Sequence, residues 1–360
     1  MRKQLVAAAA LALSVLYTPA ARPCGAVAPA GSFVRLASEE TLILWDPESK
    51  TEHFLRRPVF EGDPKDFGFF VPTPVVPVVA KAKDEIFAEL RALVPFSPSK
   101  GSAGRVGGGG GAATAAVHVE QTVQLDDFEL VTLRATDAHA LLDWLQKHGF
   151  ASRPSLELWA HRYVQRGWVL NAMRYAPPAP STPGAAREVK APALRLSFAI
   201  DAPFYPYTEA PPSPAEEQAF VARTKKPMDA RPLDLWVVAP YEVEIHEGPA
   251  LAGTGDVPGP VRVGTANVAD WRLETLLESS QAWGFHARSR PSWTVTRFRE
   301  DAVRRTAFDD LTFAPLGASV DAAEPEESTS RARYGLFALA LLAIARGIVL
   351  ALTDRSPRDR

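Results

Sequence analysis

Apolar and polar residues alternate over short segments through most of the chain, and alternation with a period of two predicts β-strands that are buried on one face. Turn-forming residues separate these segments, and the 360 residues include 32 prolines. A turn over 46–49, for example, divides two of the predicted strands. The predicted strands are residues 33–36, 41–45, 53–55, 66–71, 128–133, 168–174, 193–200, 233–238 and 241–245.

Three segments have apolar residues at intervals of three and four, which is the spacing of an amphipathic helix. They are residues 83–94, 136–149 and 156–165. In the second helix, Thr136 suits the N-cap and Asp137 the first turn, while Gly149 can end the helix in the left-handed conformation. Strands and helices together predict an α+β fold with mostly antiparallel sheets and amphipathic helices.

Part of this pattern occurs twice along the chain. A helix with Leu-Leu, Gln and Gly-Phe at the same spacing recurs, each copy is followed by Ser-Arg-Pro-Ser, and each then reaches a strand that begins with tryptophan. We interpret this as a strand–helix–strand subdomain that is used twice; the alternative is chance similarity between two amphipathic helices with glycine caps. The corresponding residues are 141–150 with 276–285, 152–155 with 289–292, and 168–174 with 293–299.

The N-terminus has the three parts of a signal peptide. Arg2 and Lys3 supply the positive charge, residues 5–17 form a short apolar core, and the small residues Ala20 and Ala21 suit cleavage after either of them. We therefore expect residues 1–21 to be a signal peptide that directs export. An uncleaved anchor is the alternative, although the apolar core is short for a membrane span.

The C-terminus contains a second apolar segment, residues 334–352, with the length of one transmembrane helix. Its charged residue, Arg346, lies toward the C-terminal end, where a long side chain can reach the interface. Arginines in the tail, residues 353–360, predict that this basic tail is cytoplasmic by the positive-inside rule. Residues 22–330 would then form an extracytoplasmic domain. A buried helix and a sorting signal removed after export are the alternatives for 334–352.

The domain between these ends has three predicted subregions, residues 24–100, 117–208 and 233–315, and a flexible glycine-rich loop over 97–116. A formal net charge of −2 indicates no basic surface of the kind that binds nucleic acid, so we expect no nucleic-acid partner. Cys24 is the single cysteine, which excludes an intramolecular disulfide. We expect a free or intermolecular thiol there, with lipid modification as the alternative.

Side chains suited to catalysis are few. The seven histidines show no metal-ligand spacing, and neither a serine nucleophile elbow nor a phosphate-binding glycine loop is present, so we expect no catalytic, cofactor or metal site. The strongest candidate for an enzyme site is acidic, because Asp63 and Asp66 flank a proline turn after Glu61, with His53 upstream. A solvated turn is the favoured interpretation, and calcium binding is an alternative. The tryptophans are expected in the core rather than on a sugar-binding platform.

Several of these segments resemble a bacterial family known as domain of unknown function 2330. The stretch from Asp66 to Pro74 is the most specific part. The resemblance implies an exported protein, often with a C-terminal membrane segment; it implies no activity and supplies no catalytic residues. Cys24-Gly25-Ala26 stands where members usually have Cys-Gly-Gly. The matching segments are residues 23–25, 42–46, 52–53, 60–63, 66–74, 141–145, 149–150, 167–168 and 309–313.

The sequence therefore predicts an exported protein of the bacterial envelope, anchored in the membrane by one C-terminal helix. We expect its main domain to lie outside the cytoplasm and to have a non-catalytic binding or scaffolding role, with another envelope protein as a candidate partner. The alternative is an envelope hydrolase whose acidic site is built from His53, Asp63 and Asp66.

Overall fold

A computed structural model describes residues 26–27, 34–62, 67–95, 117–125, 128–150, 153–176, 187–208, 210, 217–218, 220–222, 231–248, 259–269, 292–301 and 310–317. The predicted signal peptide, the glycine-rich loop, the apolar segment 334–352 and the basic tail lie outside these described residues. Among the described residues, no helix is long and apolar enough to cross a membrane. All of them except Gly317 belong to one compact unit, residues 1–316.

Strands dominate the described part of the chain. They are β1 (Ala26–Val27), β2 (Val34–Asp46), β3 (Thr51–Gly62), β4 (Phe67–Thr73), β5 (Val78–Lys81), β6 (Val117–Leu125), β7 (Phe128–Ala135), β8 (Val169–Tyr175), β9 (Arg187–Lys190), β10 (Leu194–Ala199), β11 (Phe204–Tyr205), β12 (Leu233–Ala239), β13 (Val243–Glu247), β14 (Val261–Ala269), β15 (Ser292–Glu300) and β16 (Leu311–Pro315). The helices are α1 (Glu85–Leu93), α2 (Ala138–Lys147) and α3 (Pro154–Gln165).

The strands predicted at 33–36 and 41–45 are in fact one strand, β2, which pairs with β3 over its whole length. Polar residues interrupt the apolar pattern of β2 in the sequence, but their charges are balanced within the hairpin. Arg56 Nη2 lies 2.6 Å from the carboxylate of Glu39, and Arg57 forms an ion pair with Glu40. A run of charged residues that resembles the end of a strand is therefore compatible with a continuous strand.

Three sheets are formed by the described strands. The first has five strands in the order β1-β4-β8-β7-β6, and the third has three in the order β11-β16-β13. The second has eight strands, in the order β14-β15-β12-β2-β3-β10-β5 with β9 paired to β3. Among the described pairs, β12 with β2 is parallel and the others are antiparallel. The prediction of an α+β fold with mostly antiparallel sheets is confirmed at this level.

The five-stranded and eight-stranded sheets pack face to face around the main hydrophobic core. Phe60 of β3 and Phe67 of β4 meet there with ring centroids 4.5 Å apart. On the opposite face of the five-stranded sheet, α2 and α3 cover a second core, and α1 covers a third on the outer face of the eight-stranded sheet. Strand alternation explains this layering, because successive side chains enter different cores.

A buried ladder of polar side chains crosses four strands of the five-stranded sheet. Gln121 Nε2 donates to Thr132 Oγ1 at 3.0 Å, and Thr132 Oγ1 donates to Asn171 Oδ1 at 2.8 Å. Asn171 Nδ2 then donates to Thr73 Oγ1 and to the Val71 carbonyl, both at 2.9 Å. The ladder satisfies polar groups that would otherwise be buried without partners, and it fixes the register of β4, β6, β7 and β8.

The N-cap of α2 differs from the sequence prediction. Asp137, not Thr136, takes the extended cap conformation, and its carboxylate accepts from the His139 N–H at 3.1 Å. Thr136 lies one residue too early, because α2 begins at Ala138. The predicted first-turn acid is therefore the cap itself.

Both α2 and α3 end in the same glycine motif. Gly149 has a φ of 84° and Gly167 a φ of 71°, which confirms the left-handed end predicted for the first of them. The following residue closes each helix: Phe150 N–H donates to the Leu145 carbonyl, and Trp168 N–H donates to the Tyr163 carbonyl, both at 3.0 Å. In each case the bond runs from C″ back to C3, which is the Schellman arrangement.

Part of the predicted duplication is described by the structure. In the first copy, β7 and β8 are antiparallel neighbours separated in sequence by α2 and α3. In the second copy, β14 and β15 are also antiparallel neighbours. The proposed second helix, residues 276–285, lies outside the described residues, so the repeated strand–helix–strand unit stays a prediction.

Candidate functional site

The described part of the predicted acidic site is a buried histidine. His53 lies on β3 with 4% of its surface exposed, and its Nδ1 is 2.8 Å from Ser197 Oγ of the neighbouring β10. Burial, followed by the charge of Arg195, lowers the pKa of His53 to about 4, so the ring is neutral at physiological pH. Asp63 and Asp66 lie outside the described residues, and their predicted role stays untested.

Other buried acids belong to the interior of the fold. Three of them, Glu39, Glu300 and Asp310, accept a hydrogen bond from a tyrosine hydroxyl that is itself buried, and burial raises the pKa of Asp310 above its usual range. Such pairs stabilise the interior and offer no surface to a ligand. The pairs are Tyr205 with Glu39, Tyr207 with Glu300, and Tyr163 with Asp310, the last at 2.9 Å.

The candidate site is an open groove on the outer face of the five-stranded sheet, with a volume of about 240 Å³. Helices α2 and α3 cover only part of that face, and the uncovered part forms the floor. The floor includes Val131 of β7 and Ala172 of β8, while Val119 and Thr122 of the edge strand β6 bound one side. The surface of the groove is predominantly apolar, which is usual for a ligand pocket.

Aromatic side chains from the end of α2 form the opposite wall. Trp144 and His148 are one helical turn apart and stack, with ring centroids 3.7 Å apart. His148 Nδ1 lies 2.7 Å from the Trp144 carbonyl, so this nitrogen carries the proton and donates, because a carbonyl can only accept. The His148 ring covers one face of the Trp144 ring, and Trp144 is only partly exposed.

The glycine end of α2 supplies the rest of this wall. Gly149 reverses the chain, and the next residue, Phe150, lines the groove beside the sheet. Gly68 of β4 lies beneath: a Cβ there would be 3.0 Å from Val27 Cγ2 and 3.5 Å from Phe150 Cε1. The close approach of these residues therefore depends on the missing side chain at position 68.

Two opposite charges lie among the groove-lining residues. Glu129 of β7 and Arg174 of β8 are directly opposed in register and share the outer face with Val131 and Ala172. The guanidinium carbon of Arg174 is 5.8 Å from the centroid of Phe150. Within the described part of the chain, the Glu129 carboxylate makes no hydrogen bond or ion pair. The groove thus combines an apolar body with one cationic and one anionic group.

Most of the tryptophans that the structure describes lie in the core, as the sequence predicts. Trp45, Trp236 and Trp293 are each at most 3% exposed, whereas Trp144 reaches the groove. Trp271 lies outside the described residues. Among the described residues, no group of three or more His, Cys, Asp or Glu side chains is arranged to hold a metal ion.

The fold and the groove define an α+β domain of mostly antiparallel sheets with an open apolar site on its five-stranded sheet. The chain belongs to a family described as an uncharacterized protein conserved in bacteria, domain of unknown function 2330, whose model matches residues 18–210. The resemblance noted in the sequence is thereby confirmed, although residues 309–313 lie beyond the match. Every groove-lining residue, from Val27 to Arg174, lies inside it. No curated protein matches the chain.

Proposed function

We propose that this is an exported, single-pass membrane-anchored protein of the bacterial envelope whose domain binds a small ligand in the groove without transforming it. The observation that carries the proposal is the groove itself, an open apolar site of about 240 Å³ walled by Trp144 and Phe150. Its walls come from regular strands and from a helix end fixed by backbone hydrogen bonds. A site built on rigid elements of this kind suits binding.

Binding rather than catalysis is favoured by what the polar groups in the groove are doing. His148, the residue there best suited to proton transfer, commits its Nδ1 to the backbone of its own helix. His53, the histidine of the hydrolase alternative, is buried in the eight-stranded sheet and packed against Ser197. Although His53 Nδ1 lies 2.8 Å from the Ser197 hydroxyl, the distance of a base and a nucleophile, the ring is buried, so this pair offers no surface to a substrate.

Export and anchoring are supported by the two ends of the sequence. The charged, apolar and small-residue order of 1–21 favours a cleaved signal peptide, and 334–352 followed by arginines favours a C-terminal membrane helix. Under this proposal the groove faces the space outside the cytoplasm, where small solutes arrive by diffusion. A partner protein of the envelope remains the alternative occupant of the domain's surface.

The size of the groove indicates the affinity range in which to search. One aromatic ring buries about 150 Å² or more, which contributes about 4 kcal/mol at about 25 cal/mol per Å². Before the entropic cost of association is subtracted, that free energy corresponds to a Kd on the order of 1 mM, so this value is the upper limit of the affinity. An apolar probe without charges should therefore bind weakly but measurably.

The test uses the full-length protein labelled with 5-fluorotryptophan and titrated with 3-phenylpropan-1-ol. We expect a saturable shift of the Trp144 fluorine resonance, which Trp144→Phe identifies, and no such shift in Ala172→Phe, whose added ring occupies the groove floor. Partition of the probe into detergent is the same for both proteins, so the difference reports the groove. An identical response in Ala172→Phe, or none in the wild type, would contradict the proposal.

A further inference from the structure

We infer that the ligand of the groove is a small zwitterion, an apolar α-amino acid in its chemistry, with its ammonium group at Glu129 and its carboxylate at Arg174. The inference rests on the proposed function and adds the class of ligand to it. It is carried by the placement of two opposite charges side by side at one apolar site.

The two charged residues are neighbours on the sheet, as the two charged groups of an amino acid are neighbours on one carbon atom. Glu129 and Arg174 are opposed across β7 and β8, where Cβ atoms of directly opposed residues are about 4.5–5.5 Å apart. The ammonium and carboxylate of an α-amino acid are attached to a single carbon, so one ligand can reach both side chains at once. Most apolar ligands with one charge would engage only one of them.

The side chains themselves suit these roles. The carboxylate of Glu129 has no hydrogen-bond or ion-pair partner within the described part of the chain, so it has acceptor sites for an ammonium group. The guanidinium of Arg174 presents five N–H donors in a planar fork that matches a carboxylate. Its carbon lies 5.8 Å from the Phe150 ring, which keeps the charge at the edge of the apolar wall.

The apolar part of the groove then receives the ligand side chain. Trp144, Phe150 and Ala172 surround that part. An engineered cavity of about 150 Å³ with apolar walls holds a benzene molecule. The groove, at about 240 Å³, therefore has space for a phenyl or branched aliphatic side chain together with the atoms that carry the charges.

A matched series of ligands separates the contributions. The full-length protein is titrated by calorimetry with L-phenylalanine, which has both charges, with 2-phenylethylamine, which has only the ammonium, with 3-phenylpropionate, which has only the carboxylate, and with 3-phenylpropan-1-ol, which has neither. We expect L-phenylalanine to bind about tenfold or more tightly than each of the other three, because each singly charged ligand makes one of the two charge-assisted contacts and L-phenylalanine makes both.

Two substitutions assign the charges. Glu129→Gln should weaken L-phenylalanine about tenfold and leave 3-phenylpropionate unchanged, whereas Arg174→Gln should weaken L-phenylalanine and leave 2-phenylethylamine unchanged. Arg174→Lys keeps the charge and removes the planar fork, so it should fall between the wild type and Arg174→Gln. If a variant fails to fold, the order of the four ligands on the wild type still decides the matter.

The outcomes distinguish this inference from the proposed function. Equal affinity for all four ligands, lost in Ala172→Phe, would overturn the zwitterion and retain the binding groove. Equal weakening of all four by Glu129→Gln would also overturn it, because the carboxylate would then act only on the shape of the site. If none of the four ligands binds, both the zwitterion inference and the proposed binding groove are overturned.

Discussion

Glu52 and His53 are consecutive residues of β3 that enter opposite faces of the eight-stranded sheet, and burial moves their pKa values in opposite directions. Glu52 is fully buried, and desolvation raises its pKa well above the usual value, against one hydrogen bond from the Phe204 N–H. His53 has its pKa lowered to about 4. In both cases burial favours the neutral form, and this has opposite consequences for stability as the pH changes.

The wild type should lose stability in acid because of His53, and the His53→Asn variant should lack this loss. The folded-state pKa of about 4 lies below the usual 6.5, so the unfolded chain binds the proton more readily between these values. The neutral His53 ring therefore contributes to the free energy of unfolding above pH 6.5. This contribution, up to about 3 kcal/mol, is lost as the pH falls to 4. Urea unfolding of the wild type and His53→Asn at several pH values measures this as a difference that shrinks in acid. His246→Asn, at an exposed histidine, is the matched control.

Substitution of Glu52 by Gln should stabilise the protein at high pH. Because the folded-state pKa is raised, stability from the neutral acid is present below pH 4.5 and is lost as the pH rises through the folded value. Gln stays neutral and can still accept from Phe204 N–H, so we expect a gain of about 1–3 kcal/mol at pH 8 and none below pH 4.5. Urea unfolding at both pH values tests this, with exposed Glu89→Gln as the control. A gain of the same size at both pH values would refute the role of ionisation.

Loss of the Asn171 side chain should be costly. Asn171→Ala removes three hydrogen bonds from the buried ladder and leaves the hydroxyls of Thr132 and Thr73 without them, so we expect about 2–4 kcal/mol of destabilisation. The matched control is Asn267→Ala on β14, where the amide is exposed and the change should stay within about 0.5 kcal/mol. Denaturant unfolding of both variants gives the comparison, and equal effects would show that the ladder adds little.

Alanine variants of the two glycines that end α2 and α3 distinguish the effect of backbone strain from the effect on the shape of the groove. At Gly149 and Gly167 an added Cβ meets no atom within 4 Å, so Ala should cost about 1–2 kcal/mol at either position through the left-handed backbone alone. Gly149→Ala should also weaken binding of 3-phenylpropan-1-ol, because Phe150 follows directly, whereas Gly167→Ala should not. Thermal unfolding and the fluorine titration measure the two effects. Equal binding by both variants would show that the turn does not position Phe150.

The proposed signal peptide and C-terminal membrane helix can be tested directly. Mass spectrometry of the membrane-borne protein should find an N-terminus at Ala21 or Arg22, since cleavage is expected after Ala20 or Ala21. A chain ending at residue 333 should be recovered in the soluble fraction after export, because it lacks the apolar segment 334–352. Retention of Met1, or a truncated chain that stays with the membrane, would contradict the proposed topology.

Local signals in the sequence were sufficient for much of the secondary structure. Gly149 was recognised because a helix pattern stops there and the residue tolerates the left-handed conformation. The strand β6 was not recognised, although the structure forms it over Val117–Leu125. It is an edge strand with mostly exposed side chains, and a bulge between Val119 and Gln121 breaks its alternation. Edge strands carry a weak apolar pattern because neither face needs to be fully buried.

The groove was beyond the reach of local patterns, because its walls come from strands and a helix that are distant in sequence. The available signal was a pair of charges at outward positions of otherwise apolar strands, Glu129 and Arg174, but only the β7–β8 register shows that they are opposed. His53 illustrates the converse. The sequence makes it a candidate because it lies upstream of Asp63 and Asp66, but the packing of β10 against β3 buries it.

The parallel pairing of β2 with β12 affects how the chain can be made. β2 lies within the family match at 18–210, but the neighbour on its far side begins at Leu233. At about 5–20 residues per second, synthesis takes on the order of ten seconds or more to advance from β3 to β12, and during that time one edge of a 13-residue strand has no partner. A polypeptide that stops at the matched boundary would keep that edge open permanently and would be prone to aggregate. Recombinant versions intended for ligand work should therefore extend at least to β16.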